Sequence, residues 1–331
     1  MKNIKNKKYL VTGGTGFIGS ALVKRMVKGG YSVRVLDNDI RGAKERLNEV
    51  YDKIEFIEAD VRDADAVRKA CSGADSVIHL AYINGTEYFY KMPELVLEVG
   101  VKGTINVIDG CIKNNIRELF LASSSEVYQT AEKIPTDETA PMIIPDPLNP
   151  RYSYGGGKII SELLAINYGR KHFGRMVIFR PHNIYGPDMG WEHVIPQFIM
   201  RMKEYSKSKD KIIKFPIQGT GKQSRAFCFI DDFINGLMLV LEKGEHMSIY
   251  HIGTMEEVTI EKVAEEVGKY FSKKIEIYPE TPRDGGPFRR CPDIGKLKKL
   301  GYKPAISFKD GLRITAEWYD RHPGKIKKIL G

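Results

Sequence analysis

Gly13, Gly16 and Gly19 recur at intervals of three between a short apolar run, Tyr9-Leu10-Val11, and a helix-like segment. This strand–turn–helix setting constrains the fold more than any other feature of the chain. Within it, Gly13 permits the tight turn, Gly16 lets the backbone approach a pyrophosphate, and Gly19 lets the helix pack close to the strand. Phosphates then sit on the exposed N–H groups of the helix N-terminus. A glycine run is a weak signal alone, so its weight rests on the elements around it.

Those elements alternate. Residues 9–12, 32–37, 54–58, 76–80 and 119–122 read as strands, and 16–28, 63–71 and 93–114 as helices, from their apolar periods. Residues 134–150, rich in proline and acidic side chains, read as a loop before a helix at 152–173 and a strand at 176–180. The alternation predicts an α/β fold with a Rossmann-like, doubly wound parallel sheet. Beyond Pro181 the elements shorten. A helix at 231–241 and a strand at 249–252 return to the sheet, while 212–217, 259–271 and 308–319 build a smaller mixed α/β lobe over the strand C-termini. The expected division is 1–182 with 226–255 for the dinucleotide-binding domain, and 183–225 with 256–331 for the substrate lobe.

Composition narrows the functional classes. A chain of 331 residues with 42% hydrophobic content can bury a large core in one or two intimate domains. No apolar run approaches the ~20 residues of a membrane span. The basic start, Met1 to Lys8, lacks the apolar core of a secretory leader and reads as a solvated tail. Cys71, Cys111, Cys228 and Cys291 have no metal-ligand spacing and read as reduced thiols of a cytoplasmic protein. The net charge of +10 is spread along the chain without an arginine-rich or aromatic-interleaved block. That distribution predicts a lysine-rich surface and no nucleic-acid partner.

Tyr154 and Lys158 supply the chemistry. Four apart on a helix, they share one face. An ammonium beside a phenol favours the phenolate, which makes the pair a general base near neutral pH. Strand two ends in Asp37, a carboxylate able to accept both adenosine ribose hydroxyls and to repel an extra phosphate, which favours NAD; Arg41 nearby is the feature that could favour NADP. Ser123-Ser124-Ser125-Glu126-Val127-Tyr128 follows strand five, at the end of the sheet where catalytic groups belong.

In order, Thr12 to Gly19, Asp37, Asp60-Val61, His79-Leu80-Ala81, Gly103-Thr104, Ser123 to Tyr128, Tyr154 to Lys158 and Arg180 to Pro187 resemble the extended short-chain dehydrogenase/reductase family, in its nucleotide-sugar branch. The resemblance covers nearly the whole chain. It implies an NAD enzyme that modifies a nucleotide diphosphate sugar through a transient 4-keto sugar. It places Gly13, Gly16, Phe17, Ile18, Gly19, Asp37, Asn38, Asp60, Val61, Leu80, Ala81, Ser123, Tyr154, Lys158 and Pro181 at the cofactor. Asp60 would meet the adenine amino group, or else cap the following helix, and Val61 would pack on the ring. Ser124 would hydrogen-bond the sugar hydroxyl, Tyr154 take its proton, and Lys158 lower the tyrosine pKa and hold the nicotinamide ribose. On the substrate side it places Thr86, Ser124, Ser125, Asn183, Val194, Ile217, Arg225 and Arg290. Arg225 and Arg290 map to the diphosphate, and Val194 and Ile217 flank the base. No metal site is implied. Family members pair the helices at 93–114 and 152–173 into a four-helix bundle, so a homodimer is expected.

Glu126 separates the possible reactions. Sugar 4,6-dehydratases and uronate decarboxylases of the family often carry Glu here, where it can act on the carbon next to the new ketone; a glutamate capping the loop is the plainer reading. A 4- or 3,5-epimerase is the alternative reaction. A non-catalytic NAD-sensing or RNA-binding relative is a remote one, since such relatives generally lose the Tyr/Lys pair. Four features depart from the family pattern: Gly100 in place of Asn, Gln129 in place of Gly, Tyr82 in place of a small residue, and the run Gly155-Gly156-Gly157 at a helix start. The glycine run suggests either close approach to a ligand or a frayed turn.

Overall fold

A computed structural model describes residues 6–191, 193–281 and 286–322. Its strands are β1 (Lys8–Thr12), β2 (Ser32–Asp37), β3 (Glu55–Glu58), β4 (Ser76–His79), β5 (Glu118–Ala122), β6 (Arg175–Pro181), β7 (Ile184–Tyr185), β8 (Ile212–Gln218), β9 (Ser224–Ala226), β10 (Cys228–Phe229), β11 (Ser248–Ile252), β12 (Glu257–Thr259), β13 (Lys274–Glu280) and β14 (Arg289–Arg290). Its α-helices are α1 (Phe17–Lys28), α2 (Ala64–Cys71), α3 (Thr86–Lys91), α4 (Pro93–Leu97), α5 (Gly103–Lys113), α6 (Ser153–His172), α7 (Val194–Tyr205), α8 (Ile230–Lys243), α9 (Ile260–Tyr270), α10 (Gly295–Lys299) and α11 (Phe308–Arg321).

Seven strands form one sheet in the order β11-β6-β5-β4-β1-β2-β3. Every pairing in it is parallel. The strand order reverses between β1 and β4, and it is there that ligands bind in an open α/β sheet. Alternation along the strands sends side chains to two cores. Val11, Val35, Phe120, Val177 and Phe179 join one face, which continues into the lobe through Phe198, Phe215, Val263 and Leu312. Leu10, Leu36, Leu119, Leu121 and Ile178 join the other, under α2, α5 and α6. The sheet is therefore buried on both sides, as parallel sheets are.

Local chemistry sets the helix starts. The Asp63 carboxylate accepts from the N–H groups of Asp65 and Ala66, both at 3.0 Å, and so caps α2. Thr259 and Ser307 cap α9 and α11 in the same manner. Each such cap is worth ~1 kcal/mol. The helix expected over 93–114 is divided: a π-helical turn, Glu98–Lys102, separates α4 from α5. The segment 130–149 carries no helix or extended strand, as its proline content predicts.

In the lobe, β8 and β13 pair in parallel, and β9 lies between β12 and β14. Gln129 sits at φ 49°, a left-handed conformation that suits glycine better.

Candidate active site

The fingerprint loop closes on its neighbours with little room. Gly13, at φ 75°, has no space for a β-carbon, which would stand 2.6 Å from the Ala81 nitrogen. A β-carbon at Gly19 would stand 2.0 Å from the Gly13 carbonyl oxygen, so α1 packs on the loop only because glycine is there. Gly14, which the spacing did not single out, is pressed on Val35. At Gly16 a β-carbon would meet only the Gly13 oxygen, at 3.2 Å, and no side chain caps the start of α1. The N–H groups there are thus presented towards the crevice, which fits a dinucleotide pyrophosphate. Phe17 and Ile18 pack against the first core. Leu80 and Ala81 lie across the turn, their N–H groups held by the Thr12 carbonyl at 3.1 Å and the Thr12 hydroxyl at 3.4 Å.

The Asp37 carboxylate accepts from Thr15 N–H at 2.9 Å and Asp39 N–H at 3.0 Å. It ties β2 to the glycine loop, and a carboxylate has acceptor sites to spare for a ribose diol. Arg41 is directed elsewhere, donating to the Asn84 carbonyl at 2.7 Å and lying over the Tyr88 ring. Asp60 does not cap α2, since Asp63 does. Its carboxylate accepts from Arg62 Nε at 3.0 Å and from Asn38 Nδ2 at 2.8 Å, and the Arg62 hydrogen bond leads the causes that hold its pKa below the ordinary value. Val61 is buried against Gly103, which explains that glycine.

The next layer is built on one face of α6. Tyr154, Lys158 and Glu162 are successive i, i+4 positions, and all three are buried. The Tyr154 hydroxyl shares a hydrogen bond with the Ser124 side chain, and Ser124 Oγ accepts from Glu126 N–H at 3.1 Å. Lys158 Nζ donates to the Ala122 carbonyl at 2.6 Å. Burial pushes the Lys158 ammonium down to about 7, against the pull of Glu162. Burial also raises the Tyr154 pKa above its ordinary value, the Ser124 hydrogen bond opposing it. The direct lowering of the tyrosine by the lysine, expected from their spacing, is therefore not what governs Tyr154 in this state, because the ammonium lies 5.8 Å from the Tyr154 ring centroid and is committed to Ala122.

Sequence reasoning missed the support beneath. Glu162 receives Ser123 Oγ and, through both carboxylate oxygens, Arg180 at 2.8 and 2.6 Å; Arg180 also reaches the Tyr128 hydroxyl, which bonds His251 Nε2 at 2.6 Å. Ser123 thus serves this network. The continuation of the i, i+4 series from Tyr154 through Lys158 to Glu162 was the available signal. Pro181 ends β6 directly beyond Arg180.

The glycine run also resolves. Gly155, Gly156 and Gly157 lie inside an intact α6, so there is no frayed turn. Their missing β-carbons make room for protein: Gln129 Nε2 at 2.5 Å from the first, Ile144 Cδ1 at 3.1 Å from the second, and the Tyr82 hydroxyl at 2.1 Å from the third. The crowding partners are other parts of the chain, which corrects the expectation of a ligand there.

Facing this layer, Arg290 donates from one terminal nitrogen to Glu126 Oε1 at 2.5 Å. Its Nε and other terminal nitrogen are buried and unpartnered among the described residues. Burial raises the Glu126 pKa, but Arg290 first, then Arg151 and Arg225, bring it below the ordinary value, so the group is a carboxylate. Burial and the charge of Arg290 push Arg225 down to about 10. Arg225 and Arg290 are register partners on β9 and β14, so the two expected diphosphate arginines meet beside Glu126. Ser125 is buried in the same turn. Asn183 sits at φ 45°, its amide 3.4 Å from the Ala226 carbonyl, and Thr86 opens α3. Val194 begins α7 and is partly buried. Ile217 is corrected: alternation on β8 turns its side chain into the core, 1% exposed, and leaves Pro216 and Gln218 on the outer side.

A doubly wound sheet, an uncapped helix start at its switch point and a Ser124–Tyr154–Lys158 cluster are features of a dinucleotide-dependent enzyme of the short-chain dehydrogenase/reductase type. Residues 9–253 match the NAD dependent epimerase/dehydratase family, and the chain belongs to it. It is similar to the putative UDP-glucose 4-epimerase of Methanocaldococcus jannaschii, 32% identical over 93% of this chain and 97% of that one. It is 30% identical to the UDP-N-acetyl-alpha-D-glucosaminuronate decarboxylase of Bacillus cytotoxicus, over 95% of this chain and 98% of the other. Its fold matches a dTDP-glucose 4,6-dehydratase of Streptomyces venezuelae, solved with NAD bound, at a TM-score of 0.85 and 29% identity, covering 96% and 98% of the two chains. The protein is an NAD-dependent enzyme. Among the described residues no helix is long and apolar enough to cross a membrane.

Proposed function

We propose that the protein decarboxylates a nucleotide diphosphate uronic acid after oxidising its C4 hydroxyl. One observation carries the choice: the Arg290 guanidinium pairs with Glu126 through one nitrogen and keeps two further N–H-bearing nitrogens buried without a partner. Unpaired buried donors are rare and costly. A sugar carboxylate at this point would receive them in the two-pronged geometry guanidinium groups favour, with Arg225 and Arg151 adding positive field. The decarboxylase relative supports the same reading.

NAD, when bound, supplies the hydride acceptor. Gly13, Gly16, Asp37, Ala81 and Lys158 would hold it. Ser124 orients the C4 hydroxyl by hydrogen bonding, and Tyr154 takes its proton. The C4 ketone then stands β to the carboxylate, so the bond to CO₂ breaks and its electron pair passes into an enolate. Glu126, beside that carbon, governs protonation there, and Tyr154 would return its proton to the C4 oxygen as the ketone takes back the hydride, which leaves a pentose. Ser125, Asn183 and Thr86 bound the sugar and phosphate side.

The lobes divide as 1–182 with 226–255 for the cofactor and 183–225 with 256–331 for the substrate. A homodimer is proposed through α4–α5 and α6, where Leu97, Ile105, Ile160 and Leu163 are exposed apolar side chains; a helix apolar beyond one stripe needs a second partner. Other apolar positions on these helices are absorbed at home, since Val99 and Ile108 are buried in the subunit's own core.

The test is direct. The purified protein is incubated with UDP-glucuronic acid, UDP-glucose or dTDP-glucose, and products are followed by NMR. Loss of CO₂ with formation of a UDP-pentose supports the proposal. Interconversion at C4, or a 4-keto-6-deoxy sugar, would replace it with the epimerase or dehydratase reading.

A further inference from the structure

Tyr82 follows β4 directly and enters the same layer as Tyr154 and Lys158. Its ring makes a T-shaped contact with the Tyr154 ring, centroids 5.1 Å apart at 82°. Lys158 Nζ lies 3.8 Å from the Tyr82 ring centroid, closer than to any other ring it meets. Phe89 stacks on Tyr154 at 5.1 Å and 21°, so two aromatic neighbours fix that ring. Two glycines make room for Tyr82. A β-carbon on Gly100, in the π-helical turn, would stand 2.1 Å from Tyr82 Cζ, and one on Gly157, next to Lys158, would stand 2.1 Å from its hydroxyl. Contacts this short cannot be relieved by small shifts, because both glycines sit on helical backbone. Two separate segments are therefore matched to one aromatic side chain.

We propose that Tyr82 is a positioning residue of the oxidation site: its ring, seated where the β-carbons of residues 100 and 157 would stand, holds the Lys158 ammonium on its face and braces the Tyr154 ring. The proposal rests on the reading that Tyr154 and Lys158 carry the oxidation. The physical basis is the attraction of an ammonium for an aromatic face, which strengthens when the pair is desolvated. Among the described residues Lys158 has one hydrogen bond, to the Ala122 carbonyl, and the groups around it are few: Glu162 one turn on, Tyr154 one turn back, and His79, kept neutral by burial. The ring supplies what a second acceptor would supply, without fixing the remaining N–H groups in direction. The ring thus favours the charged form of Lys158 and centres it, while two of its donors stay available.

The test reads Lys158 itself. Lysine labelled at Cε with an NMR-active carbon is incorporated into the full-length, cofactor-free protein, and the Lys158 signal is assigned by its loss in Lys158→Met. Tyr82→Phe keeps the ring and should keep the wild-type titration midpoint. Tyr82→Leu keeps an apolar side chain but loses the aromatic face, so the ammonium is less favoured and the midpoint should fall by roughly half to one pH unit. An unmoved or raised midpoint overturns the proposal. With substrate, Tyr82→Leu should lower kcat on the order of tenfold with KM little changed, since misplacement acts on the reacting geometry. If Tyr82→Leu does not fold, Gly157→Ala decides: alone it should shift the Lys158 midpoint, and with Tyr82→Phe, which removes the hydroxyl in its way, the midpoint should return. Gly157→Ala without effect, or without rescue, overturns the proposal. The midpoint is read without substrate, so it is independent of the reaction assignment; activity retained in Tyr154→Phe would remove the reading beneath the proposal and leave the midpoint result standing.

Discussion

Glu126 and Arg290, separated by 164 residues, meet as an ion pair at 2.5 Å over the face of α6 that carries Tyr154 and Lys158. The pairing joins the turn after β5 of the parallel sheet to the small sheet of the lobe. It sets what each partner can do, because a carboxylate paired with a guanidinium is held ionised.

Glu126→Gln keeps the shape but loses the charge and the basic site. On the proposed substrate the expected outcome is that C4 oxidation proceeds while turnover falls by ~10²-fold or more. Reduced cofactor should then build up on the enzyme, read by its near-ultraviolet absorbance. Full turnover with no accumulation would point to a 4-epimerase, which needs no such group.

Tyr154→Phe removes the proton acceptor hydrogen-bonded to Ser124. Turnover should drop at least ~10²-fold, the usual scale for a general base. NAD affinity, measured by calorimetry, should change little. Near-normal turnover excludes Tyr154 from the step.

At Asp37, the prediction concerns selection of cofactor. The wild-type protein should bind NAD more tightly than NADP. Asp37→Ala removes both the anchor for Thr15 N–H and the repulsion of a 2′-phosphate. NAD affinity should weaken by about 1.5–3 kcal/mol, the range for charged hydrogen bonds, and the preference should narrow. Titration with both cofactors checks this.

Lys158 gives a pH-dependent prediction. Its pKa in the fold, about 7, lies below the unfolded value of roughly 10.4. Between those values the unfolded chain binds more protons, so stability rises with pH through that window. Below about pH 7 the cost of burying the ammonium is present in full. Lys158→Met should therefore melt higher than wild type in mildly acid buffer, with the gap shrinking as pH rises towards the unfolded value. Thermal unfolding in a series of buffers tests it, and a gap that widens with pH contradicts it.

Glu162→Leu leaves Arg180 as an unpaired buried charge, since the side chains of the pair are only 0% and 2% exposed. Breaking such a pair by removing one partner costs about 3–5 kcal/mol. Chemical denaturation should register that loss, and a change smaller than 1 kcal/mol, roughly the scale of a surface pair, would show the pair is not desolvated as described.

Much of this was legible in the chain. The alternation of apolar runs predicts the parallel sheet, and the glycine spacing locates the cofactor end, because both are local patterns with one structural meaning. What was not legible depends on contacts between distant segments. Glu126 names its partner only once β14 is placed beside β9. Gly155, Gly156 and Gly157 look like a helix defect until Gln129, Ile144 and Tyr82 are seen against them. The split of α4 from α5 was hidden because a π-helical turn leaves the apolar period nearly intact. Ile217 was misread because its apolar character suits a base as well as a core, and only the strand alternation decides between them.

Arg225 and Arg290 are neighbours across one parallel ladder, β9 against β14. Adjacent strands stand about 4.8 Å apart, so the distance between the two cationic stems is set by backbone hydrogen bonds instead of by side-chain reach. Bringing like charges together is an event of folding, complete before any anion arrives. The ladder works as a ruler: the segment from residue 227 to 288 could lengthen or shorten during evolution, and the spacing of the two guanidinium groups would survive as long as this short pairing did.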